Sequence, residues 1–176
     1  MKELFDNDSV LKSHDQVTKR ITLSEEDNNQ YVIVGGLPNN AFTVKLDIEK
    51  RNYKVKSRYL RKGAKFIHKG CDYVLFIPDR SLALIIEFKS NNAKGVLDQY
   101  KSSEIFLEYV QSLYNFREIV SINYTFKYVL FSTNAKHQVF LTEEKPMESL
   151  KTDRKGDLQT IYCYGMPERI HLNKLL

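Results

Sequence analysis

Apolar residues in this chain gather in short runs, and their spacing predicts strands more often than helices. Phe42, Val44, Leu46 and Ile48 alternate strictly with polar residues, the period of a half-buried strand. Val17, Ile21 and Leu23 alternate more loosely and predict an earlier strand, followed by a polar turn over 24–30 and an apolar run over 31–34. Gly35-Gly36-Leu37-Pro38-Asn39-Asn40 is a strong turn signal. These elements read as an antiparallel meander. Residues 1–14, polar and mixed in charge, predict a short helix or a loosely held arm.

Two richer runs follow, Tyr73–Ile77 and residues 82–88, with the turn formers Pro78-Asp79-Arg80-Ser81 between them. Both are too short for a typical helix and rich in Val, Ile, Leu and Phe, so they predict two buried strands joined as a hairpin. Placing Ile77 opposite Leu82 carries the register down to Asp72 opposite Glu87, with Cβ atoms roughly 5 Å apart on one face. Lys89 lies two residues beyond Glu87 and projects from the same face.

After that hairpin, Asn91 or Asn92 is placed to cap a helix. Val96, Tyr100, Leu107, Val110 and Tyr114, with Leu97, Phe106 and Leu113 beside them, predict about 20 helical residues. Residues 126–132 predict a strand that returns parallel to the one before the helix. Residues 139–141 are apolar, 143–157 are charged and read as an exposed loop or irregular helix, and 160–164 predict a late strand. Ile170 and Leu172 alternate near the end, and these last elements extend the sheet or pack on its edge. The sum is an α/β fold, one domain with a central mixed sheet flanked by helices and preceded by the meander.

The 176 residues, 42% hydrophobic and 28% charged, suit a single globular domain with a proper core. No run approaches the ~20 apolar residues that cross a bilayer. Acids stand where a signal peptide would have its apolar core, so the expected compartment is the cytoplasm with no membrane partner. Two cysteines, neither in a CxxC pair, argue against a zinc site or a disulfide scaffold. The four histidines show no HExxH spacing, and neither a GxSxG elbow nor a GxxxxGK[ST] loop is present.

The net charge of +5 is uneven. Residues 45–69 hold ten Lys/Arg against Asp47 and Glu49, a local +8 that leaves the remainder of the chain at −3. Lys54, Lys56, Arg58, Arg61, Lys62 and Lys65 are the candidate contacts to a phosphate backbone; a solvated basic helix face is the bland alternative. Tyr53, Tyr59 and Phe66 interleave with them, as core residues or as base-stacking groups. Helix and irregular ribbon are both open for this segment.

Two facing carboxylates are destabilising unless a cation sits between them. Mg²⁺ or Mn²⁺ takes such oxygens, and a lysine alongside can orient water and offset charge on a phosphate. The pattern Asp72, fourteen residues, then Glu87-Phe88-Lys89 at the end of an apolar strand resembles the PD-(D/E)xK nuclease superfamily, which includes restriction endonucleases and Holliday-junction resolvases. The resemblance covers residues 45–135 and implies a restriction-endonuclease-like core. It implies Asp72 and Glu87 as metal ligands, the Phe88 carbonyl beside them, Lys89 as the catalytic lysine and DNA as the substrate. It further implies an extra carboxylate from an upstream element, for which Glu49 is the candidate, and a role for Gln99 early in the helix. The related QxxxY pattern is broken, because Ser103 stands four after Gln99 and Tyr100 follows it directly. Pro78-Asp79 also spells the first motif, but Asp79 belongs to the turn, some 26 Å along the strand from Glu87 at about 3.3 Å per residue. A homodimer, or a larger defence or repair complex, fits a small chain without an ATPase motif. The alternative is a non-catalytic nucleic-acid-binding or protein-interaction subunit on the same fold.

Overall fold

The computed structural model describes residues 1–11, 15, 17–25, 30–47, 70–90, 95–118, 121–133, 147–148, 161–164 and 168–176. They form an α/β arrangement of two mixed sheets and one α-helix. The strands are β1 (Arg20–Glu25), β2 (Gln30–Gly35), β3 (Phe42–Lys45), β4 (Tyr73–Ile77), β5 (Leu82–Lys89), β6 (Thr125–Ser132), β7 (Met147–Glu148), β8 (Ile161–Tyr164) and β9 (Arg169–His171). The helix α1 (Val96–Glu118) lies between β5 and β6.

The hairpin β4–β5 is the middle of the molecule. All five residues of β4 and seven of the eight in β5 are buried, because both faces of this sheet are covered. Its register pairs Ile77 with Leu82 and Tyr73 with Ile86, as the sequence arithmetic requires. A single turn of 3₁₀ helix, Pro78–Arg80, makes the connection. Ser81 closes it at φ 47°, with its N–H donating to the Pro78 carbonyl at 3.0 Å.

The large sheet runs β3-β4-β5-β6-β8-β7. Its first half is antiparallel; β5, β6 and β8 are parallel, with α1 as the crossover from β5 to β6. The expected parallel return strand is therefore present, running Thr125–Ser132. The late strand joins the same sheet, and β7 falls inside the segment read as an exposed loop.

Two apolar layers form on the two faces of this sheet. On one side Val74, Phe76, Ala83, Ile85, Tyr128 and Leu130 meet Val96, Tyr100, Leu107 and Val110 of α1. Ser103 shares the buried helix face because its hydroxyl accepts the Cys71 N–H at 2.8 Å. The Tyr100 hydroxyl donates to the Val129 carbonyl at 2.7 Å, so the helix is held by polar as well as apolar contacts. On the other side Tyr73, Leu75, Ile77, Leu84, Ile86 and Phe88 pack against Ile21, Leu23, Val32, Val34 and Ile170. Burying each such side chain stabilises by about 1.5–3 kcal/mol.

That second layer corrects the expected architecture. A sheet flanked by helices becomes, among the described residues, a sheet with one helix on one face and a smaller sheet on the other. The meander does not continue into the large sheet. β1 and β2 pair antiparallel with each other, and β2 takes β9 as a parallel neighbour. β3 leaves them for the edge beside β4, where Thr43 is buried as well as Val44, so the strand is covered on both faces rather than half-buried. Near the N-terminus the short-helix alternative holds, as a single 3₁₀ turn over Lys2–Leu4. Val10 bridges Val44, and the Leu11 N–H donates to the Thr43 carbonyl at 2.9 Å, which covers the open edge of β3. Val17 falls outside the first strand, in an exposed turn, and Leu113 lies on the exposed side of α1. Gly36 is obligatory where it stands: its φ is +74°, and a Cβ there would overlap the His171 ring. No described helix is long and apolar enough to cross a membrane.

Candidate active site

The β4–β5 register delivers Asp72 and Glu87 to each other. Asp72 immediately precedes β4, and Glu87 is the sixth residue of β5, facing α1 with Ala83 and Ile85. Each acid is held by the other's strand. The Asp72 N–H donates to Glu87 Oε2 at 3.2 Å, and the Phe88 N–H donates to Asp72 Oδ2 at 2.7 Å. Lys89 follows on the same face, its Nζ 2.5 Å from Glu87 Oε1. Glu87 is only 1% exposed, whereas the Lys89 side chain is 24% exposed, so the lysine reaches further towards water than the acid it pairs with.

The helix supplies a fourth group. Gln99, in the first turn of α1, donates from Nε2 to the Gly70 carbonyl at 3.3 Å and also hydrogen-bonds Glu87. Gly95, at φ +84° and with open space around it, sets the chain's entry into that turn. The sequence-expected group Asp72, Glu87, Lys89 and Gln99 is therefore one contiguous cluster. Glu49, and the basic residues Lys54, Lys56, Arg58, Arg61, Lys62 and Lys65, lie outside the described residues. The second "PD" acid is remote as expected: Asp79 sits in the turn and accepts from Asn40 Nδ2 at 2.6 Å.

Electrostatics in the cluster are dominated by burial. Burial and the neighbouring Glu87 charge push the Asp72 carboxyl up to about 8, against the opposing Phe88 N–H. Glu87 is also raised, by burial, against the Lys89 charge and the hydrogen bonds from Lys89, Gln99 and the Asp72 N–H. For Lys89, burial works against the charged form, but Glu87, Asp72 and Glu25 more than offset it, so its affinity for the proton rises. Near neutral pH, in the absence of a cation, the Asp72 carboxyl keeps its proton.

Glu25 is the residue that the sequence reading missed. The polar turn expected over 24–30 includes it, yet it is the last residue of β1 and continues the inward alternation of Ile21 and Leu23. Its charge raises the proton affinity of both Asp72 and Lys89. The neighbouring Ser24 is fixed to the site: its N–H donates to the Tyr73 hydroxyl at 3.3 Å, and that hydroxyl donates to the Ser24 carbonyl at 2.5 Å. An acid in phase with an apolar alternation was the available signal.

The donors present suit a hard divalent cation. Asp72 and Glu87 offer carboxylate oxygens. The Thr133 N–H takes the Lys89 carbonyl at 3.1 Å, so strand alternation turns the preceding Phe88 carbonyl the other way, towards the Asp72 side. Carboxylate and carbonyl oxygens match Mg²⁺ or Mn²⁺ better than softer ions. Among the described residues no group of three or more His, Cys, Asp or Glu side chains converges as ligands, so water is needed to complete the shell. Compared with known proteins, the chain matches no family model, no curated protein and no solved structure.

Proposed function

We propose that this chain is a Mg²⁺- or Mn²⁺-dependent nuclease of the PD-(D/E)xK type, with a restriction-endonuclease-like core and DNA as its substrate. The observation that carries the reading is the reciprocal clamp, in which Asp72 and Glu87 each accept the other strand's N–H while Lys89 stands 2.5 Å from Glu87. In structural ion pairs one acid meets one base; here two acids meet over one lysine, and the second acid is held protonated until a cation takes the place of that proton.

Asp72, Glu87 and the Phe88 carbonyl would hold the ion, whose chemistry is to polarise a phosphoryl oxygen and make bound water acidic. Lys89 orients the attacking water and offsets charge on the phosphate. Gln99 fixes the Glu87 carboxylate through its amide. The basic stretch at 54–65 supplies the sequence-independent grip on the phosphate backbone.

A second reading has one observation in its favour. The described residues bring only two acids together as ligands, which also fits a nucleic-acid-binding or protein-interaction subunit that does not cut. A cleavage assay on DNA with Mg²⁺, Mn²⁺ or EDTA separates the two. The nuclease reading expects metal-dependent cleavage that disappears in Glu87→Ala and Lys89→Ala, with DNA retention in a salt titration. Cleavage at the wild-type rate in both variants, or binding without cleavage under every metal, refutes it.

A further inference from the structure

We propose that the outward face of α1 is a homodimer interface, on which the helix packs antiparallel against the same helix of a second copy. This inference does not depend on the nuclease reading. Four large apolar side chains stand in water along one side of the helix: Ile105 55%, Tyr109 60%, Leu113 44% and Phe116 86% exposed. Scattered exposed apolar residues are ordinary, but a continuous stripe is not. The positions 105, 109, 112 and 116 are spaced four, three and four apart, the repeat of a seam between two packed helices. The opposite face of α1, with Val96, Tyr100, Leu107 and Val110, is already committed to the large sheet.

The size of the stripe decides what kind of contact it can make. Taking about 150–250 Å² for an aromatic side chain, Tyr109 and Phe116 present roughly 300 Å² between them. With Ile105 and Leu113 the apolar patch is on the order of 400 Å² per copy, at the scale of patches that mark interaction sites. Two such patches come to about 800 Å² before any polar rim is counted, below the roughly 1,200 Å² at which specific interfaces begin, which sets a weak and reversible dimer.

A second copy is the occupant because the seam complements itself. A two-fold axis midway along it sets Ile105 against the partner's Phe116, and Tyr109 against the partner's Ser112. Large then meets small at the centre. Ser112 tolerates that burial, because its hydroxyl already donates to the Glu108 carbonyl at 2.8 Å and needs nothing from the other chain. A parallel pairing would stack Tyr109 on Tyr109 and leave a gap at the serine layer. The antiparallel pairing also carries the two acid clusters, each beside the first turn of its helix, to opposite ends of the seam, on the order of 35 Å apart along the axis.

Sedimentation velocity across a concentration series tests this on the full chain. Expected is a monomer that converts to a dimer as concentration rises. Phe116→Asp raises the dimer dissociation constant by at least about tenfold, as loss of an aromatic anchor does. The variant's circular dichroism and thermal transition stay those of the monomer, since Phe116 makes little of the core. Orientation is read by cross-linking: Ile105→Cys mixed with Phe116→Cys forms a disulfide between copies, and Ile105→Cys alone, whose two copies lie about 16 Å apart along an antiparallel seam, does not. Both cysteine variants carry Cys163→Ser as well, and Cys71 is buried and stays out of the reaction. A protein that is monomeric at every concentration, a dimer indifferent to Phe116→Asp, or self-linking through Ile105→Cys overturns the proposal.

Discussion

Replacing Asp72 by Asn should make the metal-free protein more stable, although it removes a proposed ligand. Burial and Glu87 raise the Asp72 carboxyl to about 8 in the folded chain, against 3.8 for the free group. Between those values the folded state keeps a proton that the unfolded state has released. Stability therefore falls as pH rises through this window, by up to about 1.4 kcal/mol per pH unit. At pH 7 the accumulated cost is on the order of 4 kcal/mol. Asn keeps an acceptor for the Phe88 N–H, now at 2.7 Å from Asp72 Oδ2, and carries no charge. For a domain of this size the Asn variant should gain on the order of 10 °C in Tm at pH 7 without metal, and little at pH 4. Added Mn²⁺ should stabilise the wild type and leave the variant unchanged. The assay is thermal unfolding in EDTA and in Mn²⁺ from pH 4 to 8. A wild-type Tm that is flat or rising with pH in EDTA, or a variant that is less stable at pH 7, would refute the reasoning.

Two further substitutions probe the surroundings. Glu25→Gln removes a charge that raises the Asp72 carboxyl, so the metal-free loss of stability with rising pH should end at a lower pH and be smaller; an unchanged pH profile of Tm would separate Glu25 from the site. Ser103→Ala leaves the buried Cys71 N–H, now 2.8 Å from the serine hydroxyl, without its partner, and should cost about 1–3 kcal/mol in a urea titration. A cost well under 1 kcal/mol would mean that water replaces the hydroxyl there.

The site was legible because its residues are local in the chain and locked by a period of two. Once Ile77 meets Leu82, Asp72 and Glu87 must meet as well, and a slip of one residue would put them on opposite faces. The helix and its parallel return strand were legible for a similar reason, since Val96, Tyr100, Leu107 and Val110 keep helical phase over four turns. What was not legible is which sheet each strand joins. Alternation in Ile21, Leu23, Val32 and Val34 says that one face is buried, not what buries it, and the partner strand β9 lies at the far end of the chain. Thr43, buried at 0% exposure, disguised a strand covered on both faces as a half-buried one. Leu113 misled because apolar character alone does not separate a core face from an exposed seam.

An anomalous-scattering measurement on a crystal soaked in Mn²⁺ addresses the central claim, that Asp72 and Glu87 hold one ion together. The account predicts a single peak at about 2.1–2.2 Å from a carboxylate oxygen of each, with the Lys89 ammonium displaced from its present 2.5 Å contact with Glu87 Oε1. A Mn²⁺-saturated crystal with no peak between the two acids, and with Lys89 still seated on Glu87, would contradict it.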